Sequence, residues 1–199
     1  QNLTFSNFNN MKNWLCDKIE KLNLELFNKS QEKNKKMGTT IVTVATFDNQ
    51  VVVYNIGDSS AYGLTKDNEM SVVTVEDSFV GALISAGAIT QEEAKTHPER
   101  HVLTQALATR DNINLHTFID DLSKYDYFLL CSDGLTNMIE NEEIQDIVRK
   151  EGTNAWYEKT VEQLLPDEVL TLGKPKSEYV KEKDIMDVWF DSRKYTSIC

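Results

Sequence analysis

Cysteine is scarce: Cys16, Cys131 and Cys199 are the only three in 199 residues and lie far apart. With no C-x-x-C pair they exclude a zinc ribbon or redox dithiol, and a reducing, cytoplasmic compartment is expected. Long apolar runs are missing too. The longest, at residues 41–47 with two threonine interruptions, falls far short of the roughly 20 residues that cross a bilayer. No charged-then-apolar leader opens the chain, and its first residue is Gln1 rather than Met, so a soluble, untargeted fragment is expected. Positive charge is outweighed, 21 basic side chains against 32 acidic ones for a net of −11. Nucleic-acid backbones and anionic lipid surfaces would be repelled, so neither is an expected partner. The 40% hydrophobic and 27% charged composition is that of one globular domain, or a core domain with an appendage.

Hydrophobic periodicity organises what is present. Phe8, Met11, Leu15, Ile19, Leu22 and Leu26 recur at steps of three and four, which predicts an amphipathic helix with Ser6 as its N-cap. The lysine-rich run 28–36 has no apolar period and reads as an exposed exit from it. Residues 1–36 thus form a helix and polar loop. From Gly38 the pattern becomes that of strands: 39–47 and 51–56 around the turn Asp48-Asn49-Gln50, then 61–64 and 70–75 around 66–69. Short helices follow at 78–86, ending at Gly87, and at 90–96, opening on a capping-box spacing at Thr90-Gln91-Glu92-Glu93. Strands are expected near 102–106 and 115–119, then at 125–131, whose continuous apolar part predicts burial on both faces. A last helix is expected at 141–150, and beyond it the strand signature disappears. The expected units are therefore a core at 37–150 and a foreign or irregular tail at 151–199.

Two aspartates each follow an apolar strand, Asp58 in Ile56-Gly57-Asp58-Ser59 and Asp133 in Cys131-Ser132-Asp133-Gly134. A strand end fixes a carboxylate rigidly, as a hard cation such as Mg²⁺ or Mn²⁺ requires of its oxygen ligands. An Asp that caps its own turn has the same local signature. Ser59 and Ser132 lack the G-x-S-x-G setting of a nucleophile, and His97, His101 and His116 lack helical H-x-x-x-H spacing, which argues against zinc. Cys131 ends a buried strand and reads as core packing.

The motifs Met37-Gly38-Thr39-Thr40, Asn55-Ile56-Gly57-Asp58-Ser59-Ser60, Thr74-Val75-Glu76-Asp77-Ser78, Gly87-Ala88-Ile89-Thr90, Val102-Leu103-Thr104-Gln105-Ala106-Leu107 and Leu130-Cys131-Ser132-Asp133-Gly134 follow one another in order. The series over about residues 1–148 resembles bacterial PPM-type (type 2C) metal-dependent protein serine/threonine phosphatases. That resemblance implies an α+β fold, a sandwich of two antiparallel β-sheets flanked by helices, with a mobile flap at about 77–100. It implies two or three Mn²⁺ or Mg²⁺ ions and a metal-activated water that attacks phosphoserine or phosphothreonine. In it Asp133 matches the aspartate shared by the metal centre, and Asp58 the aspartate that helps hold a third ion. Implied partners are phosphorylated proteins, the substrates of a serine/threonine kinase, and the expected state is a monomer.

Departures accompany the likeness. The family's Asp-Gly-Met-Gly-Gly and Gly-x-Asp-Asn-Ile-Thr motifs occur nowhere in this chain, and Ser60 and Gln105 stand where arginines are usual. Asp133 alone among the principal metal carboxylates is left, so the truncated chain is expected to be catalytically inactive. A non-catalytic phosphoprotein-binding pseudophosphatase is the alternative. Tail segments 151–157, 164–166 and above all Lys183-Asp184-Ile185-Met186-Asp187-Val188-Trp189-Phe190-Asp191-Ser192 resemble part of isoleucyl-tRNA synthetases. Both ATP-site signatures of that class are missing, so an aminoacyl-tRNA synthetase fragment is the remaining alternative and a join of two gene pieces accounts for the tail.

Overall fold

The computed structural model describes residues 4–67, 69–136, 143–146 and 196–197. Helix α1 (Phe8–Glu32) starts at Asn7, whose extended backbone and side chain accept it as the cap by taking the N–H of Asn10 at 2.9 Å. Ser6, the cap expected from sequence, instead receives the Asn10 side-chain amide. The helix continues into the lysine-rich run as far as Glu32, and only the rest of that run is the expected loop. Lys, Gln and Glu are good helix formers, and loss of apolar period ends nothing when no Gly or Pro intervenes. It stops where Asn34 turns left-handed (φ 47°), with Asn34 N–H on Gln31 O and Lys35 N–H on Ser30 O, a Schellman closure.

Strands β1 (Ile41–Phe47) and β2 (Gln50–Ile56) form the expected hairpin, and β5 (His116–Asp121) pairs antiparallel with the other edge of β2. Strands β3 (Ser60–Thr65) and β4 (Met70–Val72) form the second hairpin, with β6 (Tyr125–Cys131) antiparallel on the far side of β3 and β7 (Thr196–Ser197) parallel to β6. Alternation along β2 builds two cores at once. Val51 and Val53 meet Ala61, Val73 and Phe128 between the sheets, while Val52, Tyr54 and Ile56 meet Phe8, Met11 and Ile19 of α1. On the opposite outer face Tyr62, Leu129 and Cys131 pack with Ile144 of the helical stretch 143–146. The α+β layering expected from sequence is therefore present, and Cys131 is core. The remainder of the helix expected at 141–150, and the synthetase-like segments, lie outside the described residues.

Three expectations need correction. The strand at 102–106 does not form; Leu103 and Leu107 make only isolated bridges, to Ser78 and Thr39. Ala108 turns left-handed there (φ 66°) and ends the extended run. Strand β4 stops at Val72 instead of reaching Val75: Val73 N–H still donates to Ala61 O of β3 at 2.8 Å, but beyond it Val75 N–H turns to the Asn55 side-chain Oδ1 of β2 at 3.2 Å and Asp77 N–H to Gly57 O at 3.0 Å. Burial of β6 on both faces holds only from Phe128, since Asp126 and Tyr127 are exposed. Helices α2 (Phe79–Ser85) and α3 (Gln91–Lys95) fall where expected, α2 capped by Ser78 and closed at Gly87 (φ 68°), α3 carrying the full Thr90–Glu93 capping box.

Candidate active site

Register brings the two singled-out aspartates to one place. Ser60, the first residue of β3, stands opposite Cys131, the last of β6. The turn before β3 and the turn after β6 must therefore leave the same end of the sheet, carrying Asp58 and Asp133. Asp133 opens a short helix, α4 (Asp133–Thr136), and is exposed, whereas Asp58 is half-buried. Burial pushes the Asp58 carboxyl above its usual acid range, the Asp133 charge adds to that, its own backbone N–H opposes it, Glu76 contributes a weaker repulsion and His101 a weak attraction.

A half-buried carboxylate facing another is an arrangement that a hard, oxygen-ligated cation relieves. Two carboxylates suit one such ion. Among the described residues no third His, Cys, Asp or Glu joins them in a metal-binding group, so the donor set there does not fit two ions held a water apart.

Other candidate residues have different work. Ser59 shares a hydrogen bond of 2.8 Å with Thr40 Oγ1, and Ser132 accepts the Leu135 N–H through its backbone carbonyl. His97 accepts the Glu99 N–H at Nδ1 and lies against Phe79, with ring centroids 5.9 Å apart. His116 Nε2 lies 2.8 Å from Asp77 Oδ1. His97 and His116 thus occupy separate settings, and His101 bears on Asp58 by a weak attraction.

A model of the family described as Protein phosphatase 2C matches residues 6–171 of the chain. The chain belongs to that family. Protein phosphatase PhpP of Streptococcus pneumoniae is 39% identical over 141 residues, 70% of this chain and 57% of that protein. A serine/threonine phosphatase stp of Listeria welshimeri is 36% identical over 141 residues, covering 70% of this chain and 56% of its own length. Among solved structures, serine/threonine phosphatase Stp1 from Staphylococcus aureus superposes with a TM-score of 0.70 at 39% identity, over 77% of this chain and 60% of that one. The chain thus spans somewhat over half the length of the relatives it matches. The family match crosses the change of sequence texture near residue 150 and ends before the synthetase-like run at 183–192.

Behind the paired aspartates of this phosphatase 2C chain, a polar network that spacing did not reveal is built around the buried Asp77. Asp77 Oδ2 accepts the Gly57 N–H at 2.9 Å and Gln105 Nε2 at 3.1 Å, while Oδ1 meets His116. Gln105 is itself fixed, donating to Asn114 O at 2.9 Å and accepting the Asn114 N–H at 2.6 Å. Gly57 has no room for a side chain, since at φ 98° a Cβ would come within 2.4 Å of Thr40 Cγ2. Asp77, Gln105 and His116 are far apart in the chain, so no local pattern joins them. The usable sign was Asp77 standing just before the helix cap Ser78.

Proposed function

We propose that this chain is a protein serine/threonine phosphatase domain of the metal-dependent kind, in which Asp58 and Asp133 hold a divalent cation, Mn²⁺ or Mg²⁺, and whose substrates are phosphoserine and phosphothreonine in proteins. The convergence of Asp58 and Asp133 at one end of the β3–β6 ladder carries this reading. When bound, such a cation would polarise a phosphoryl oxygen and make its bound water a stronger acid than bulk water, the nucleophile for direct attack on phosphorus. The protein's part is then to fix its carboxylates and keep its own hydroxyls out of the reaction. Asp58 is held on a rigid turn between two strands, and the Ser59 hydroxyl beside it is occupied with Thr40. Phosphoproteins made by a serine/threonine kinase, met in the cytoplasm by a monomer, complete the proposal; no helix among the described residues is long and apolar enough to cross a membrane.

The two-carboxylate set found among the described residues also favours a second reading for this polypeptide. Two ligands leave an ion mostly hydrated, which counts against turnover and favours a chain that holds a phosphoprotein without hydrolysing it.

Calorimetric titration with Mn²⁺ of the wild type, Asp58→Asn and Asp133→Asn tests the metal assignment. Binding tighter than millimolar that both substitutions abolish is expected; binding equal to that of either variant refutes it. Phosphate release from a phosphothreonine peptide by the wild type, lost in Asp133→Asn, would overturn the inactive reading.

A further inference from the structure

Asp77 sits where two parts of the molecule meet. It is about nine-tenths buried, and its carboxylate and backbone together clamp a single residue, Gly57: the side chain takes the Gly57 N–H at 2.9 Å and the Asp77 N–H donates to Gly57 O at 3.0 Å. Both polar groups of the residue preceding Asp58 are therefore fixed by one partner. Asn55 repeats the pattern two residues earlier, donating to Val75 O at 2.6 Å and accepting the Val75 N–H. The strand end and the 75–77 segment are thus stitched side by side. Gly57 needs such a partner, because its φ of 98° gives it no ladder bond and its conformation is one that other residues rarely adopt.

The same residue is the root of the 77–100 segment. Ser78, next in the chain, caps α2 by accepting the Gly81 N–H, and Asp77 O accepts the Thr104 N–H at 2.8 Å. Phe79 N–H donates to Val102 O at 2.8 Å, closing the base from the other side. Gln105 and His116 hold the carboxylate from the loop and from β5.

We propose that Asp77 is a positioning residue for Asp58: its carboxylate, seated by Gln105 and His116, fixes the Gly57–Asp58 turn and ties it to the base of the 77–100 segment. This rests on the assignment of Asp58 as a cation ligand. Supporting groups of this sort, which orient a ligand without touching the ion, commonly change affinity by about 10–100-fold when removed.

What matters here is an acceptor facing Gly57, and that defines the test. Asp77→Ala removes the acceptor. Asp77→Asn keeps it, with the amide oxygen toward Gly57 and Gln105 and the amide NH₂ toward a His116 nitrogen that can accept. In the full chain, amide exchange at Gly57 and Asp58 is measured by NMR alongside Mn²⁺ affinity. Asp77→Ala is expected to speed Gly57 exchange by about tenfold or more with the interior of β2 unchanged, and to weaken Mn²⁺ binding by about 10–100-fold. Asp77→Asn is expected to restore both. Unchanged Gly57 exchange in Asp77→Ala, or an equal acceleration throughout β2, overturns the proposal. Should Asp77→Ala not fold, Gln105→Ala, which unseats the carboxylate while leaving it present, must show the same selective loosening. A wild type that binds no Mn²⁺ refutes the cation assignment of Asp58, whereas normal Mn²⁺ binding in an Asp77→Ala chain with a loosened Gly57 refutes positioning alone.

Discussion

Replacing Asn23 by Leu removes a fully buried amide that joins α1 to the loop after Leu107. Asn23 Oδ1 accepts the Ala108 N–H at 2.8 Å, and its Nδ2 donates to Arg110 O at 2.9 Å and Asp111 O at 3.1 Å. Leucine has nearly the same size, so the loss is one of hydrogen bonds rather than volume. The two carbonyls belong to exposed residues and can turn to water. Ala108 is buried at 4% exposure and its N–H cannot, so its orphaning costs about 1–3 kcal/mol. The left-handed backbone of Ala108 (φ 66°) carries its strain in wild type and variant alike, so it cancels. Extra apolar burial by the leucine returns about 1 kcal/mol. A net loss of about 1 kcal/mol follows, visible as a fall of about 2–4 °C in Tm and as a lower urea midpoint. A loss below about 0.5 kcal/mol, with the Ala108 amide exchanging as slowly as before, would refute the reasoning.

Asp58→Asn is expected to stabilise the fold at neutral pH while abolishing cation binding. Burial and the Asp133 charge raise the folded-state affinity of Asp58 for a proton above that of the unfolded chain. Between the ordinary Asp value of 3.8 and the raised one, the folded state binds more protons, so this group's contribution improves as pH falls through that window. The Tm advantage of Asp58→Asn over wild type, followed by calorimetry without metal, should therefore shrink as pH is lowered from 7 toward 4; an advantage that grows instead would disprove the assigned direction. Phe128→Ala empties the centre of the inter-sheet core and removes the ring lying 4.7 Å from Tyr125. A cost of about 3–5 kcal/mol should leave the variant largely unfolded by near-ultraviolet circular dichroism, and a Tm within a few degrees of wild type would contradict the packing described.

Legibility in the sequence followed the range of the interaction that decided each element. The hairpins and the Thr90–Glu93 capping box were readable because their determinants lie within a few residues of each other. The paired aspartates were found for a similar reason, each standing at the end of an apolar strand. On the inner face of α1 the apolar stripe expected through Leu22 to Leu26 departs from the buried one: Leu22 is 41% exposed, and the buried line passes from Ile19 to Asn23 and Ser30. A polar residue on a core face carries no hydrophobic signal, and only a loop 85 residues later explains it. Asp77 escaped for the same cause, its partners Gln105 and His116 lying 28 and 39 residues away.

Strand β2 belongs to both of its neighbours' interiors. Its odd-numbered valines, Val51 and Val53, close the space between the sheets, and its even-numbered Val52, Tyr54 and Ile56 close the space beneath α1. Neither compartment can open while the other stays shut, since one backbone would have to be solvated and dry at the same time. Amides of β2 should then exchange only through complete unfolding, and their exchange rates would report the stability of the whole domain. The turn that carries Asp58 is the direct continuation of that strand, so the candidate ligand hangs from the part of the molecule least able to move.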